Sequence, residues 1–114
     1  MAYSTLPRFV ETPVFSRQLY GLLSDDGYRT LQLALLLQPE QGTLIPETGG
    51  LRKLRWPLEG KGKRGGLRVI YYFYSAQSVI YMLFLYPKSQ QEDLTPDQLK
   101  RLMRAFKEAK EVLK

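Results

Sequence analysis

The stretch that decides the fold is residues 51–86, LRKLRWPLEGKGKRGGLRVIYYFYSAQSVIYMLFLY. Its apolar residues recur with period 2 and are rich in aromatic and branched side chains, the pattern of β-strands. Three strands are expected, over 51–56, 67–74 and 79–86. A Gly/Lys loop over 57–66 joins the first two, and Ser75-Ala76-Gln77-Ser78 joins the last two. Three sequential strands with short links predict an antiparallel meander. Upstream and downstream the period changes to helical. Thr12-Pro13 offers an N-cap with proline at the first helical position, and Ser24-Asp25-Asp26 offers a second cap followed by acids. Two antiparallel helices ending near Leu22 and before Pro39 follow. Residues 8–12, RFVET, make a short strand candidate. A last helix starts at Thr95-Pro96 with Gln98 placed for a capping box, and Leu99, Leu102, Met103 and Phe106 repeat along one face. The order β-α-α-β-β-β-α over residues 1–114, one domain, predicts an α+β fold with the helices packed on one face of a small antiparallel sheet.

The meander also holds all of the chain's excess charge. Residues 51–70 carry seven cations (Arg52, Lys53, Arg55, Lys61, Lys63, Arg64, Arg68) against Glu59. The rest of the chain balances ten basic with ten acidic side chains. A positive potential concentrated in this way fits a phosphate backbone. The bland alternative is a solvated charged hairpin that resists edge aggregation; seven cations to one acid favour nucleic acid. Alternation puts Lys53 and Arg55 on one side of their strand, with Leu54 and Trp56 on the other. Arg68, Ile70, Tyr72 and Tyr74 share a side of the next. If these cations face the same way, the sheet has a cationic face opposite its helix-covered face. Tyr72 is then placed to stack on a base, although cross-strand packing is the commoner role of strand tyrosines. Arg52 and Arg64 extend the phosphate-binding set.

With no cysteine and no histidine among 114 residues, thiol chemistry, disulfides, the commonest zinc ligands and histidine-based nucleophile activation are all excluded. The glycines of GKGKRGG follow a strand without opening a helix, so they do not form a nucleotide P-loop. RNA cleavage by the neighbouring 2′-hydroxyl needs no metal or cofactor. It needs a proton acceptor, stabilisation of the phosphorane and a proton for the leaving oxygen. Arg and Lys stabilise the phosphorane directly. Two cations about 6 Å apart repel by about 2.8 kcal/mol at an effective dielectric of about 20, which lowers a lysine pKa by about two units. Lys53, Lys61 and Lys63 are the lysines in reach of that effect. The apolar runs are too short to span a bilayer, and a basic start followed by an apolar stretch is lacking, so a cytoplasmic protein is expected. Composition alone also allows a non-catalytic RNA- or DNA-binding module on the same face, or a partner-binding structural domain.

The sequence resembles the RelE/HigB family of bacterial type II toxins, specifically its HigB-like branch. FVETPVF, GGLRKLRW, GKGKRGGLRVIYYFY, LYPKSQQEDLT and the closing helix carry the likeness. The resemblance implies a microbial-ribonuclease-like fold, cleavage of mRNA in the ribosomal A site, no cofactor, and neutralisation by a cognate antitoxin. The family's basic positions on the first meander strand match Lys53 and Arg55. The arginine at the reacting phosphate matches Arg68, and the strand-end lysine matches Lys88. Where relatives carry an arginine after that lysine and a tyrosine shortly beyond, this chain has Ser89 and then Leu94-Thr95. Lys61, Lys63 and Arg64 stand in the GKGKRGG run that follows the basic strand.

Overall fold

The computed structural model describes residues 6–58 and 62–112, with the side chains of residues 62–65, 109 and 112 outside that description. The chain runs β1 (Arg8–Glu11), α1 (Pro13–Leu22), α2 (Asp25–Leu37), β2 (Thr43–Leu44), β3 (Arg52–Leu58), β4 (Gly62–Tyr74), β5 (Val79–Pro87) and α3 (Pro96–Val112). No helix among the described residues is long and apolar enough to cross a membrane. The helix starts are where capping chemistry puts them. Thr12 Oγ1 accepts from the Phe15 N–H at 3.1 Å, and Ser24 Oγ accepts from the Gly27 N–H at 3.0 Å. At α3, Thr95 and Gln98 exchange reciprocal bonds of 3.0 and 3.1 Å, a closed capping box.

The expected meander is the centre of a five-stranded sheet ordered β1-β5-β4-β3-β2. The sheet is mixed, because β1 runs parallel to β5 while the other neighbours are antiparallel. β2 is an additional two-residue strand. The first meander loop is shorter than expected: β3 continues through Pro57-Leu58, and Leu58 pairs with Gly62.

The expectation that all helices share one face needs correction. α1 and α2 cover one face, where Phe15, Leu31, Leu35, Leu54, Val69, Tyr71, Ile80 and Met82 form a closed core. α3 packs on the opposite face, where Leu102 and Phe106 bury Ile70, Val79, Tyr81 and Leu83. The reason is that β4 and β5 are apolar on both sides, and nine consecutive β5 residues are almost all buried. A sheet of this kind needs cover on both faces.

β5 contains a bulge. Ile70 pairs with Phe84 and Tyr71 with Met82, so Leu83 is the extra residue. Leu83 and Phe84 both join the α3-side cluster, and the alternation resumes with Leu85 on the α1–α2 side and Tyr86 on the α3 side. β1 ends level with Met82, and side chains complete the unpaired edge beyond it. The Thr12 hydroxyl donates to the Leu83 carbonyl at 2.9 Å, and Gln18 Oε1 accepts from the Leu85 N–H at 2.8 Å.

Candidate nucleic-acid site

Three of the expected cations converge. In the β3–β4 register Lys53 lies opposite Ile70 and Arg55 directly opposite Arg68, so all three share the face that α3 covers only in part. Arg55 is exposed, while Arg68 keeps 5% of its surface accessible. The Arg68 guanidinium donates from Nη1 to its own strand's Leu67 carbonyl at 3.2 Å, and neither arginine pairs with a carboxylate among the described residues. Lys88, exposed one residue beyond β5, donates its backbone N–H to Gly66 at 2.9 Å. That register places it two residues past Tyr86, on the Arg68 side.

Lys53 is not free. Its Nζ donates to Asp93 Oδ1 at 3.2 Å, joining the start of β3 to the loop before α3. The same oxygen accepts from the Leu94 N–H at 3.1 Å. Nothing in the sequence links Asp93 to this site, since 40 residues separate it from Lys53. Tyr86 is the other residue that sequence reasoning missed. It pairs with Arg68 across β4–β5, is 2% exposed, and its Oη has no partner among the described residues. Burial raises its phenol pKa above the ordinary value and Asp93 adds to the rise, while Arg68 opposes it. A buried phenol without a hydrogen-bond partner, beside a guanidinium without a carboxylate, is costly in a core.

Other expected contacts lie elsewhere. Arg52 falls on the α1–α2 side, where Nη1 donates to the Glu40 and Gly42 carbonyls at 2.8 and 2.7 Å and Nη2 is 3.9 Å from the Glu40 carboxylate. It braces the 40–42 segment, away from the Arg55–Arg68 pair, because alternation turns it from Lys53. Tyr72 shares Arg68's side as expected, but its ring is packed under α3, not left open as a stacking platform. The Phe106 ring centroid is 4.1 Å away and the Lys110 ammonium 5.6 Å. Lys61 lies outside the described residues, as do the side chains of Lys63 and Arg64.

Hollows among the described residues differ in their linings. A cleft of about 480 Å³ among α1, α2 and the end of β1 is lined by Glu11, Asp25, Tyr20 and Tyr28, with no cation in its lining. There Tyr28 Oη donates to Glu11 at 2.6 Å, and burial, with the nearby carboxylate, raises the phenol pKa far above its usual range. A smaller groove of about 320 Å³ lies between segment 43–46 and the start of α3, with Lys53 and Asp93 in its wall. Of these two, the second has Lys53 in its wall.

The fold is thus α+β, a sheet covered by helices on both faces, and on one of these faces two arginines without carboxylate partners among the described residues stand opposed. The model of the RelE toxin family, the toxin of the RelE/RelB toxin–antitoxin system, matches residues 37–114. The solved structure of a mutant E. coli toxin RelE in the free state superposes with a TM-score of 0.58 at 12% sequence identity, covering 77% of this chain and 90% of that one. This chain belongs to the RelE toxin family. It is thus a toxin of the translation-inhibiting endoribonuclease class, and its partner is an antitoxin.

Proposed function

We propose that the toxin cleaves mRNA on the ribosome, in the A site, without a metal ion, and that Arg68, Arg55 and Lys53 hold the scissile phosphate. The observation that carries this reading is the buried Arg68 guanidinium, without a carboxylate among the described residues and directly opposite Arg55. Two cations so placed repel each other and gain most when an anion sits between them.

The chemistry follows from the charges. The 2′-hydroxyl of the nucleotide before the cut loses its proton and attacks phosphorus. The phosphorus–O5′ bond breaks, leaving a 2′,3′-cyclic phosphate, and O5′ takes up a proton. Arg68 and Arg55 stabilise the extra negative charge of the pentacovalent state. Lys53, whose Nζ donates to a carboxylate in the free protein, is an electrostatic group that exchanges Asp93 for phosphate. Proton transfer falls to the other lysines of the basic region, Lys61, Lys63 and Lys88. Action in the cytoplasm follows from a ribosome-bound substrate.

The test uses purified protein with mRNA, either alone or programmed on ribosomes, with and without a chelator. Cutting of ribosome-bound mRNA that survives chelation and disappears in Arg68→Ala is expected. Equal cutting of naked RNA would remove the ribosome from the mechanism. Salt-dependent binding with no strand scission would make this chain a non-catalytic RNA-binding module.

A further inference from the structure

The groove beside the cations has a composition that phosphate binding alone does not explain. Its apolar side chains are Ile45 and Pro46 on one side and Leu94 and Leu99 on the other, with Lys53 and Asp93 between them. About 320 Å³ is at the small end of ligand-sized pockets. Ile45, half-buried beside the α3-side cluster, and the exposed Pro46 follow directly on the short strand that pairs with the basic one. Flat apolar walls fit the face of a nucleobase, and Lys53 is shared between this groove and the phosphate site.

Asp93 is the informative residue. A carboxylate at the mouth of a phosphate site repels the substrate backbone, so an acid placed there without a further role weakens binding. Its Oδ1 is held by Lys53 and by the Leu94 N–H, whereas Oδ2 takes no hydrogen bond among the described residues. The side chain is 74% exposed. Ionised, it only accepts hydrogen bonds, so it selects for donors and against acceptors.

We infer that this groove is a nucleobase subsite flanking the scissile phosphate, and that Asp93 makes it prefer guanine. Guanine presents two adjacent donors, N1–H and the N2 amino group, on its Watson–Crick edge, a match for the two oxygens of one carboxylate. Adenine, cytosine and uracil each offer a single donor position there, next to an acceptor. The subsite works by exchange. The incoming phosphate takes Lys53, and Asp93 gives up the ammonium for the base, with the Leu94 N–H still fixing the carboxylate's orientation. This inference rests on the phosphate-site reading above and names which nucleotide sits beside the phosphate.

The experiment titrates the whole protein with guanosine 3′,5′-bisphosphate and its adenosine, cytidine, uridine and inosine counterparts, following backbone amide shifts. Inosine keeps N1–H and lacks the N2 amino group. Guanosine is expected to bind about tenfold tighter than adenosine, cytidine or uridine, with inosine between, and to move the amides of residues 44–45 and 93–94. Asp93→Asn is expected to remove the guanosine advantage while binding the other bisphosphates equally or more tightly, since it also removes a repelling charge. A merely structural Asp93 predicts uniform weakening. Equal affinity for all five probes, unmoved groove amides, or a guanosine preference that survives Asp93→Asn would each overturn the subsite. Failure of the ribonuclease reading shows itself separately: guanosine-selective binding in a protein that leaves ribosome-bound mRNA uncut keeps the subsite and discards the activity.

Discussion

Arg55 and Arg68 stand directly opposite each other across β3 and β4, two like charges at a single cross-strand position. Arg68 is nearly buried there, and neither has a carboxylate partner among the described residues. Such a pair works against the folded state until an anion arrives.

Arg68→Met therefore separates stability from activity. The substitution replaces a buried cation by an apolar chain of similar length, so the thermal midpoint is expected to stay level or rise. Ribosome-dependent cleavage is expected to fall at least about a hundredfold, as for loss of one preorganised charge-stabilising group. Calorimetry and primer extension on the same preparation check both. A lower midpoint with retained cleavage would make Arg68 a structural residue.

Arg52 and Lys53 are adjacent in sequence and on opposite faces, so their alanine variants should behave differently. Arg52→Ala loses two hydrogen bonds to the Glu40 and Gly42 carbonyls and should cost about 1–2 kcal/mol, with little change in RNA affinity. Lys53→Ala should leave stability within about 0.5 kcal/mol. It should also reduce the slope of log affinity against log salt by about 0.7 on single-stranded RNA. Urea titrations and binding isotherms at several salt concentrations measure the two effects.

Gly50 is a backbone requirement of the second face. Its φ is +121°, and an added Cβ would lie 2.7 Å from Tyr72 Cε1. Gly50→Ala is expected to destabilise by about 1–3 kcal/mol through strain and displacement of the Tyr72 ring under α3. Gly49, also at positive φ, has open space around it. Gly49→Ala should cost less, and the difference between the two urea midpoints isolates the contact with Tyr72.

High pH should unfold the protein through its buried phenols. Tyr28, Tyr71, Tyr81 and Tyr86 all have pKa values raised above the ordinary 10.0, with burial the leading cause in each. The folded state holds these protons more tightly than the unfolded chain. Their contribution is complete below pH 10 and is lost as pH climbs through and beyond that value. Thermal midpoints should be flat approaching pH 10 and fall steeply above it, with tyrosinate absorbance appearing together with loss of structure. Ionisation of all tyrosines in a still-folded protein would contradict this.

Much of this was legible in the residues because it depends on local chemistry. Thr12, Ser24 and Thr95 cap their helices through bonds that reach three residues along the chain. The shared side of Lys53, Arg55 and Arg68 needs only alternation plus one pairing register. What was not legible depends on contacts between distant segments. α3 carries one apolar stripe wherever it docks, and the crowding of apolar residues on both sides of β4 and β5 decides its face. The Lys53–Asp93 pair joins residues from different elements, and no spacing rule announces it. Tyr86 reads as one more strand tyrosine until its Oη is found without a partner beside Arg68.

The extra residue at Leu83 sets the phase of everything after it in β5. Were the strand to alternate regularly from Met82 onward, Tyr86 would swing beneath α1 and α2 and Leu85 would stand among the arginines. Shortening the strand at that point keeps Tyr86 and the lysine beyond it on their present side, whereas a second added residue inverts both. Sidedness at the outlet of this sheet is therefore a matter of odd or even counting: at this point one codon gained switches it, and one lost does not.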